Sequence, residues 1–299
     1  MKPFLKWLRL VRPHTLTASI TPVLIGTALS LQSVKIDWVL FSTMLLASIV
    51  IQSAVNMFNE YYDFKRGLDT TDSVGIGGVI VRGEISEDVV LRAAESFFVL
   101  SVLLGAYICA RTSWWVAVAG TASMLVGYLY SGGRSPIASS CFGELAAGIF
   151  MGLTIVVLSF YVQTGSITVG LVFLSFPISI LVAAILLANN IRDAERDKKK
   201  GRKTLAIRMG KERSTSFLSG LFILSFALVP SFVLLRLVTP YSLISLASIP
   251  NAISSIKGFR NKTTPTEMQE AMKDTSALHF QFGLLLTLGI LLGRFLPPI

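Results

Sequence analysis
Nine apolar stretches constrain what this chain can fold into more than any single residue does. They fall at about residues 16–32, 38–58, 89–110, 114–131, 143–162, 168–189, 215–235, 238–256 and 276–296. A helix rises about 1.5 Å per residue, so ~20 apolar residues cross a hydrocarbon layer of roughly 30 Å. Inside that layer every backbone N–H and C=O has to be paired within the protein, and runs of this length without strict alternation favour helices over barrel strands. Composition agrees, with 53% hydrophobic and 15% charged residues and a mean hydropathy of +0.67, far from an ordinary soluble domain. The expectation is an all-α polytopic membrane protein, a bundle of about nine transmembrane helices in the lipid bilayer. No low-complexity linker divides it, so residues 1–299 read as a single domain. The first and eighth runs are the shortest, and they carry Pro22 and Pro240 with Pro250.

The formal charge of +10 would suggest nucleic acid in a soluble protein, but here cationic loops explain it, and no nucleic-acid partner is expected. With the N-terminus in the cytoplasm, only Lys35, Arg111, Arg236 and Arg294 of the 27 Lys and Arg residues fall on the outer side. That is the asymmetry of a multi-pass protein of the cell membrane. Outward connections are short, such as 111–113 and 163–167, whereas the inward ones, about 59–88, 131–142, 190–214 and 257–274, are long and charged. Long loops in a compact protein commonly carry function, so a cytoplasm-facing active-site mouth is expected. A basic start and the small residues Ala28 to Ser30 imitate a signal peptide, but Pro22 and the later runs predict an uncleaved first helix. Cys109 and Cys141 have no metal-site spacing and read as packing residues.

The sixth run ends in NNIRDAERDKKKGRKT, from Asn189 to Thr204. Asn189, Asp193 and Asp197 recur every four residues, and on a continuing helix each step turns the side chain by only about 40°, so all three share a face. Alone, a D-x-x-x-D pattern is more often a solvated loop. The end of the second run changes that balance, because Asn59 and Asp63 repeat the N-x-x-x-D spacing and Asp69 follows after Gly67. Gly67 is placed to stop the helix, which lets Asp69 turn back from a loop. Both helices run in the same direction, so both clusters reach one membrane face.

Ionisable groups at the mouth of a helical bundle are costly unless paired or metal-bound. Asn59, Asp63, Asp69, Asn189, Asp193 and Asp197 offer oxygen donors without His or Cys, a set suited to Mg²⁺, which binds carboxylates together with substrate phosphates. Lys65, Arg66, Arg82, Arg134, Arg192, Lys198, Arg202 and Lys203 surround them as candidates to neutralise a diphosphate, although a share of them are simply inside-positive loop residues. Arg12, just before the first helix, and Lys203, just after the second cluster, are the first choices. A diphosphate held by Mg²⁺ and cations departs with its charge stabilised. From an allylic carbon this leaves a carbocation that aromatic faces shield, and Phe58, Tyr61, Tyr62, Tyr128 and Tyr130 lie beside the mouth. A cation-coupled transporter also buries carboxylates between helices, but near the midplane rather than at one end among cations. A membrane scaffold would leave the repeated spacing as coincidence.

These motifs resemble the paired aspartate motifs of the UbiA-type intramembrane aromatic prenyltransferases. Four stretches carry the resemblance: RPHTLTASITPVLIGTAL from Arg12, NEYYDFKRGLD from Asn59, YSGGRSPIASSCFGEL from Tyr130 and NNIRDAERDKKKGRKTLAIRMG from Asn189. They are most similar to the branch of the family that acts on 1,4-dihydroxy-2-naphthoate in menaquinone synthesis. Glu60 stands where many members have Asp, and Arg134 forms a Y-x-x-x-R pattern with Tyr130, similar to the Y-x-x-x-K of other branches. The resemblance implies Mg²⁺-dependent transfer of a polyprenyl group from its diphosphate to a ring carbon of dihydroxynaphthoate with loss of CO₂, giving demethylmenaquinone. The alternative aromatic acceptors are 4-hydroxybenzoate and homogentisate. By position, Asn59, Asp63 and Asp69 would hold one ion and Asn189, Asp193 and Asp197 another. Lys65, Arg66, Tyr130, Arg134 and Arg202 would touch the diphosphate, and Arg12, Asp63, Asp193 and Lys203 would carry the chemistry. The segment from Gly75 to Arg82 is expected to form a loop over the mouth, with Arg82 and Glu144 as candidate acceptor contacts and the isoprenoid along a groove open to the bilayer.

Overall fold
A computed structural model describes residues 3–70 and 77–296, and among them all regular structure is helical. A short amphipathic helix, α1 (Pro3–Val11), leads into α2 (Pro13–Ser30), α3 (Trp38–Lys65), α4 (Glu87–Arg111) and α5 (Trp115–Ser131). Then come α6 (Gly143–Thr164), α7 (Val169–Lys199), the single turn α8 (Leu205–Met209) and α9 (Lys211–Leu234). A 3₁₀ segment, Pro240–Ser248, continues into α10 (Ile249–Asn261), and α11 (Pro265–Phe295) closes the chain. Six of these, α3, α4, α6, α7, α9 and α11, are long and apolar enough to cross a membrane by length and composition.

The other three apolar runs are accommodated differently. The first lies on α2, which Pro13 starts earlier than the apolar pattern does. The fourth is the 17-residue α5. The eighth is divided, because Pro240 opens a 3₁₀ segment and Pro250 opens α10, so no single helix covers 238–256. Proline lacks the N–H that an uninterrupted helix needs at those points.

Helix starts follow local capping chemistry. The Asp37 carboxylate accepts from the Val39 and Leu40 amides at α3, and the Thr168 hydroxyl accepts from Leu171 N at α7. Thr264 and Glu267 form a reciprocal capping box at α11. Within α6, Gly148–Leu153 winds as a π-turn, and the Ser179 hydroxyl of α7 donates to the Gly148 carbonyl at 2.6 Å. The two helices meet closely here, since a Cβ on Gly152 would lie 2.4 Å from the Ser179 Cα.

Among the described residues the buried apolar side chains gather in four clusters, of which the two largest frame the site. Ile25, Val156, Ile178, Leu187, Leu218 and Phe282 belong to a core that joins α2, α6, α7, α9 and α11. Leu10, Met57, Phe58, Val79 and Val90 tie α1, α3, α4 and the 77–83 segment together. Side-chain pairs also sort the helix ends. Asp37 meets Gln163 (2.9 Å) and Arg111 (3.1 Å) at one end of the bundle, and Asp63 meets Arg202 (2.8 Å) at the other.

Candidate active site
The two Asn/Asp clusters come together at this second end. On α3 the Asn59 amide donates to Asp63 Oδ2 at 3.2 Å and to Ser131 Oγ at 3.0 Å. Gly67 adopts φ 63°, and the turn returns the Leu68 and Asp69 amides to the Asp63 carbonyl at 2.8 and 3.4 Å. Asp69 therefore turns back toward the stripe, as the glycine predicted. Helix α7 continues without a break to Lys199, so Asn189, Asp193 and Asp197 do share a face, with Asp193 and Asp197 buried.

Arg202 joins the clusters. Gly201, at φ 80°, turns the chain after α7, and the guanidinium donates to Asp63 Oδ1 at 2.8 Å and to Asp197 Oδ2 at 3.1 Å. Burial works against its charge, but Asp63 and Asp197 outweigh burial and raise its pKa. Arg192, also buried, donates to Asp193 Oδ1 at 3.0 Å and Oδ2 at 2.6 Å, to Asn189 at 2.6 Å and to Gln269 of α11 at 2.6 Å. Arg196 stands 3.4 Å from Asp193 and 3.5 Å from Asp197. From the opposite side Arg12 donates to Asn59 Oδ1 at 2.9 Å and to Glu60 Oε2 at 3.1 Å. Four arginines thus face the two carboxylate stripes. Burial, followed by repulsion from Asp63, pushes the Asp69 carboxyl up to about 6.

The remaining predicted residues divide. Tyr130 lines the same cavity as the clusters. Arg66 is spent on the Ser131 and Gly133 carbonyls, and Lys65 pairs with Glu87 at 2.9 Å on the exposed side of α3. Arg134 is exposed and, with Arg66 and Lys200, lines an adjoining hollow beside α6 that shares Arg202 with the main cavity. Lys198 is exposed as well. Lys203 is exposed and only its backbone is engaged, its amide donating to the Ser139 carbonyl at 2.8 Å, so the turn at Gly201 sends Arg202 inward where Lys203 was expected. Phe58, Tyr61, Tyr62 and Tyr128 pack among themselves, mostly edge to face, between α3, α4 and α5, with ring centroids 5.2 to 6.4 Å apart. Glu144 is buried and accepts from Asn190 at 2.9 Å. Arg82 turns back on its own loop, donating to the Gly77 carbonyl at 2.8 Å and to Glu84 at 3.0 Å. Gly75 lies outside the described residues.

Several contributors escaped the sequence reading, Arg196 beside Asp193 and Asp197 among them. Gln269 meets Arg192, and nothing in its local sequence marks it. Asn56, buried within an apolar run, donates to the Val11 carbonyl at 2.7 Å and to Thr15 at 2.9 Å, locking the end of α1 and the start of α2 to α3. A polar amide in such a run is itself a functional signal.

The cluster forms the polar head of a cavity of about 530 Å³. Below Asp63, Asp193 and Arg202 its walls turn apolar, and it continues past Ile51, Met124 and Ile155 to Ile108, Trp114 and Val116 near the opposite end of the bundle. Val102 and Trp114, which line it, are 50% and 69% exposed on the outer surface. A ligand with an anionic head and a long apolar tail matches this division of charge.

The sequence pattern of the UbiA prenyltransferase family matches residues 19–291. The chain belongs to this family. As a UbiA prenyltransferase it is 47% identical to the 1,4-dihydroxy-2-naphthoate octaprenyltransferase of Bacillus subtilis (strain 168), over 96% of this chain and 92% of that one. It is 30% identical to the enzyme of the same name from Mycobacterium tuberculosis, over 92% and 93% of the two chains. The UbiA fold recurs in a UbiA homolog from Archaeoglobus fulgidus solved with DMAPP and Mg²⁺, with a TM-score of 0.67 at 18% identity, covering 94% of this chain and 99% of that one. An apo UbiA homolog from Aeropyrum pernix K1 superposes with a TM-score of 0.70 at 15% identity, over 92% and 98%.

Proposed function
We propose that this UbiA prenyltransferase transfers a polyprenyl group from its diphosphate to 1,4-dihydroxy-2-naphthoate, with decarboxylation, to give demethylmenaquinone. The observation that carries this reading is the joining of both Asn/Asp stripes by Arg202 at the head of an otherwise apolar cavity. The identity to the Bacillus subtilis naphthoate enzyme supports the acceptor. The whole chain, residues 1–299, serves as one intramembrane domain of nine spans, with the mouth facing the cytoplasm as the sorting of Lys and Arg favours.

The residues present fit Mg²⁺. Asn59, Asp63 and Asp69 would hold one ion, and Asn189, Asp193 and Asp197 the other, all through oxygen. Asp197 Oδ1 is buried without a hydrogen-bond donor. Among the described residues no three carboxylate, imidazole or thiolate groups gather as a metal site, so phosphate oxygens would have to complete the shell of either ion. When bound, Mg²⁺ supplies neutralisation of the departing diphosphate.

The protein's own part is charge placement and exclusion of water. Arg192, Arg196 and Arg202 lie against the stripe carboxylates and Arg12 is held by Asn59 and Glu60, and all four would offer N–H donors to phosphate oxygens, in the manner of guanidinium clamps on phosphoryl groups. The apolar walls keep water from the allylic carbon as the C–O bond weakens. Tyr130 offers the aromatic face within the cavity. The test is turnover by purified protein with a polyprenyl diphosphate and a panel of dihydroxynaphthoate, 4-hydroxybenzoate and homogentisate. Product is expected with dihydroxynaphthoate and only with Mg²⁺. Preference for another acceptor overturns the acceptor assignment, and full activity in excess chelator overturns the metal assignment.

A further inference from the structure
Glu60 follows Asn59 in sequence but does not share its face. One residue advances a helix by about 100°, so Glu60 points away from the Asn59 and Asp63 stripe and toward α1 and the 77–83 segment. Its carboxylate is 1% exposed, and both oxygens are engaged. Oε2 accepts from Arg12 Nη2 at 3.1 Å and from the Gly78 amide at 2.9 Å. Oε1 accepts from the Val79 amide at 2.5 Å and from the Ile80 amide at 3.3 Å. Gly77 covers the ion pair so closely that a Cβ there would lie 2.5 Å from Arg12 Nη2 and 2.7 Å from Glu60 Oε2.

The backbone of Arg12 supplies an independent sign of constraint. It adopts φ 56° and ψ 68° between α1 and α2, a left-handed conformation unfavourable for any residue with a Cβ. Such strain persists where the surroundings over-determine it, and it concentrates at functional sites. Here the surroundings are Asn59 and Glu60, which fix the guanidinium from two sides.

We propose that Glu60 is the positioning residue of the diphosphate cradle: its single carboxylate fixes both the Arg12 guanidinium and the 78–80 backbone against the end of α3. The N-E-x-x-D sequence is then split in function, with Asn59 and Asp63 facing the cation and Glu60 facing Arg12. The longer arm of Glu reaches donors on a neighbouring segment, and a full negative charge is needed because four donors converge on it. This proposal rests on the reading of Arg12 as a diphosphate contact.

Two variants separate charge from reach. Glu60→Gln keeps the length and places an amide N–H against donors, and Glu60→Asp keeps the charge and shortens the arm. Each is expected to raise KM for the polyprenyl diphosphate about tenfold, with KM for the aromatic acceptor and the Mg²⁺ concentration for half-activity within about twofold of wild type. Arg12→Gln is expected to match that rise, and the Arg12→Gln/Glu60→Gln double variant to be no worse than the larger single. Tryptic cleavage after Arg82 accelerates in both Glu60 variants and not in Arg12→Gln, a readout that needs no turnover. Additive KM effects, unchanged cleavage, or a rise in the Mg²⁺ requirement with donor KM unchanged overturns the proposal. Wild-type protein that transfers no prenyl group sinks the proposed function, while the cleavage arm still decides whether Glu60 clamps the segment.

Discussion
Arg202 bridges two carboxylates that belong to helices far apart in sequence, and its neighbour Lys203 faces solvent. A guanidinium presents a planar fork that reaches two carboxylates at once, which an ammonium does not. Replacing it strands buried negative charge. Arg202→Gln is expected to cost roughly 3–5 kcal/mol of stability without Mg²⁺, read as a lower Tm, and added Mg²⁺ with diphosphate should narrow the gap. Asp69 makes the opposite case. Its pKa of about 6 lies above the ordinary 3.8, so the folded state holds that proton more tightly than the unfolded one. The resulting stability is present below the ordinary value and lost as pH rises through about 6. Without Mg²⁺, Asp69→Asn is therefore expected to raise Tm at pH 7.5 and to leave it unchanged near pH 4, while lowering Mg²⁺-dependent activity. A lower Tm at pH 7.5 refutes this. Asp63→Asn and Asp193→Asn are expected to reduce turnover by about 10²-fold or more with the fold intact, checked by initial rates and circular dichroism.

Helices α6 and α7 meet without room for an added side chain at Gly152, and that contact positions the polar end of α7. Gly152→Val is expected to destabilise the protein by about 1–3 kcal/mol through overpacking. It should also reduce turnover, because α7 carries Asn189, Asp193 and Asp197. Tm and activity measured together check this, and a variant with unchanged Tm would mean the contact yields. At this scale the period and length of the apolar runs predicted most helices, but not that α7 extends ten residues past its apolar run, through segment 190–199 that read as an inward loop. The run at 238–256 misled because hydropathy reports environment rather than continuity, and the two prolines placed the break.

The apolar cavity crosses most of the molecule, and its bore should set which isoprenoids fit. Gly105 lines it with nothing within 4 Å of a built Cβ. Gly105→Trp is expected to depress turnover of long polyprenyl diphosphates while geranyl diphosphate still reacts, checked by comparing the two donors. Equal loss with both would show that the long tail does not pass Gly105. Orientation is tested with single cysteines in a Cys109→Ser, Cys141→Ser background. Lys203→Cys should be labelled by an impermeant maleimide only from the cytoplasmic side, and Lys35→Cys only from the outer side.

The sequence by itself determined the membrane class, the helical periods and the placement of Asn59, Asp63, Asn189, Asp193 and Asp197 on two stripes at one end. These follow from hydropathy and from a repeat of 3.6 residues, both local properties. Only the tertiary structure decided that Arg202 and not Lys203 turns inward, that Gln269 reaches Arg192, and that Glu60 serves Arg12 and the 78–80 amides. Those choices depend on which segments, distant in sequence, pack against the ends of α3 and α7, and no local pattern encodes that meeting.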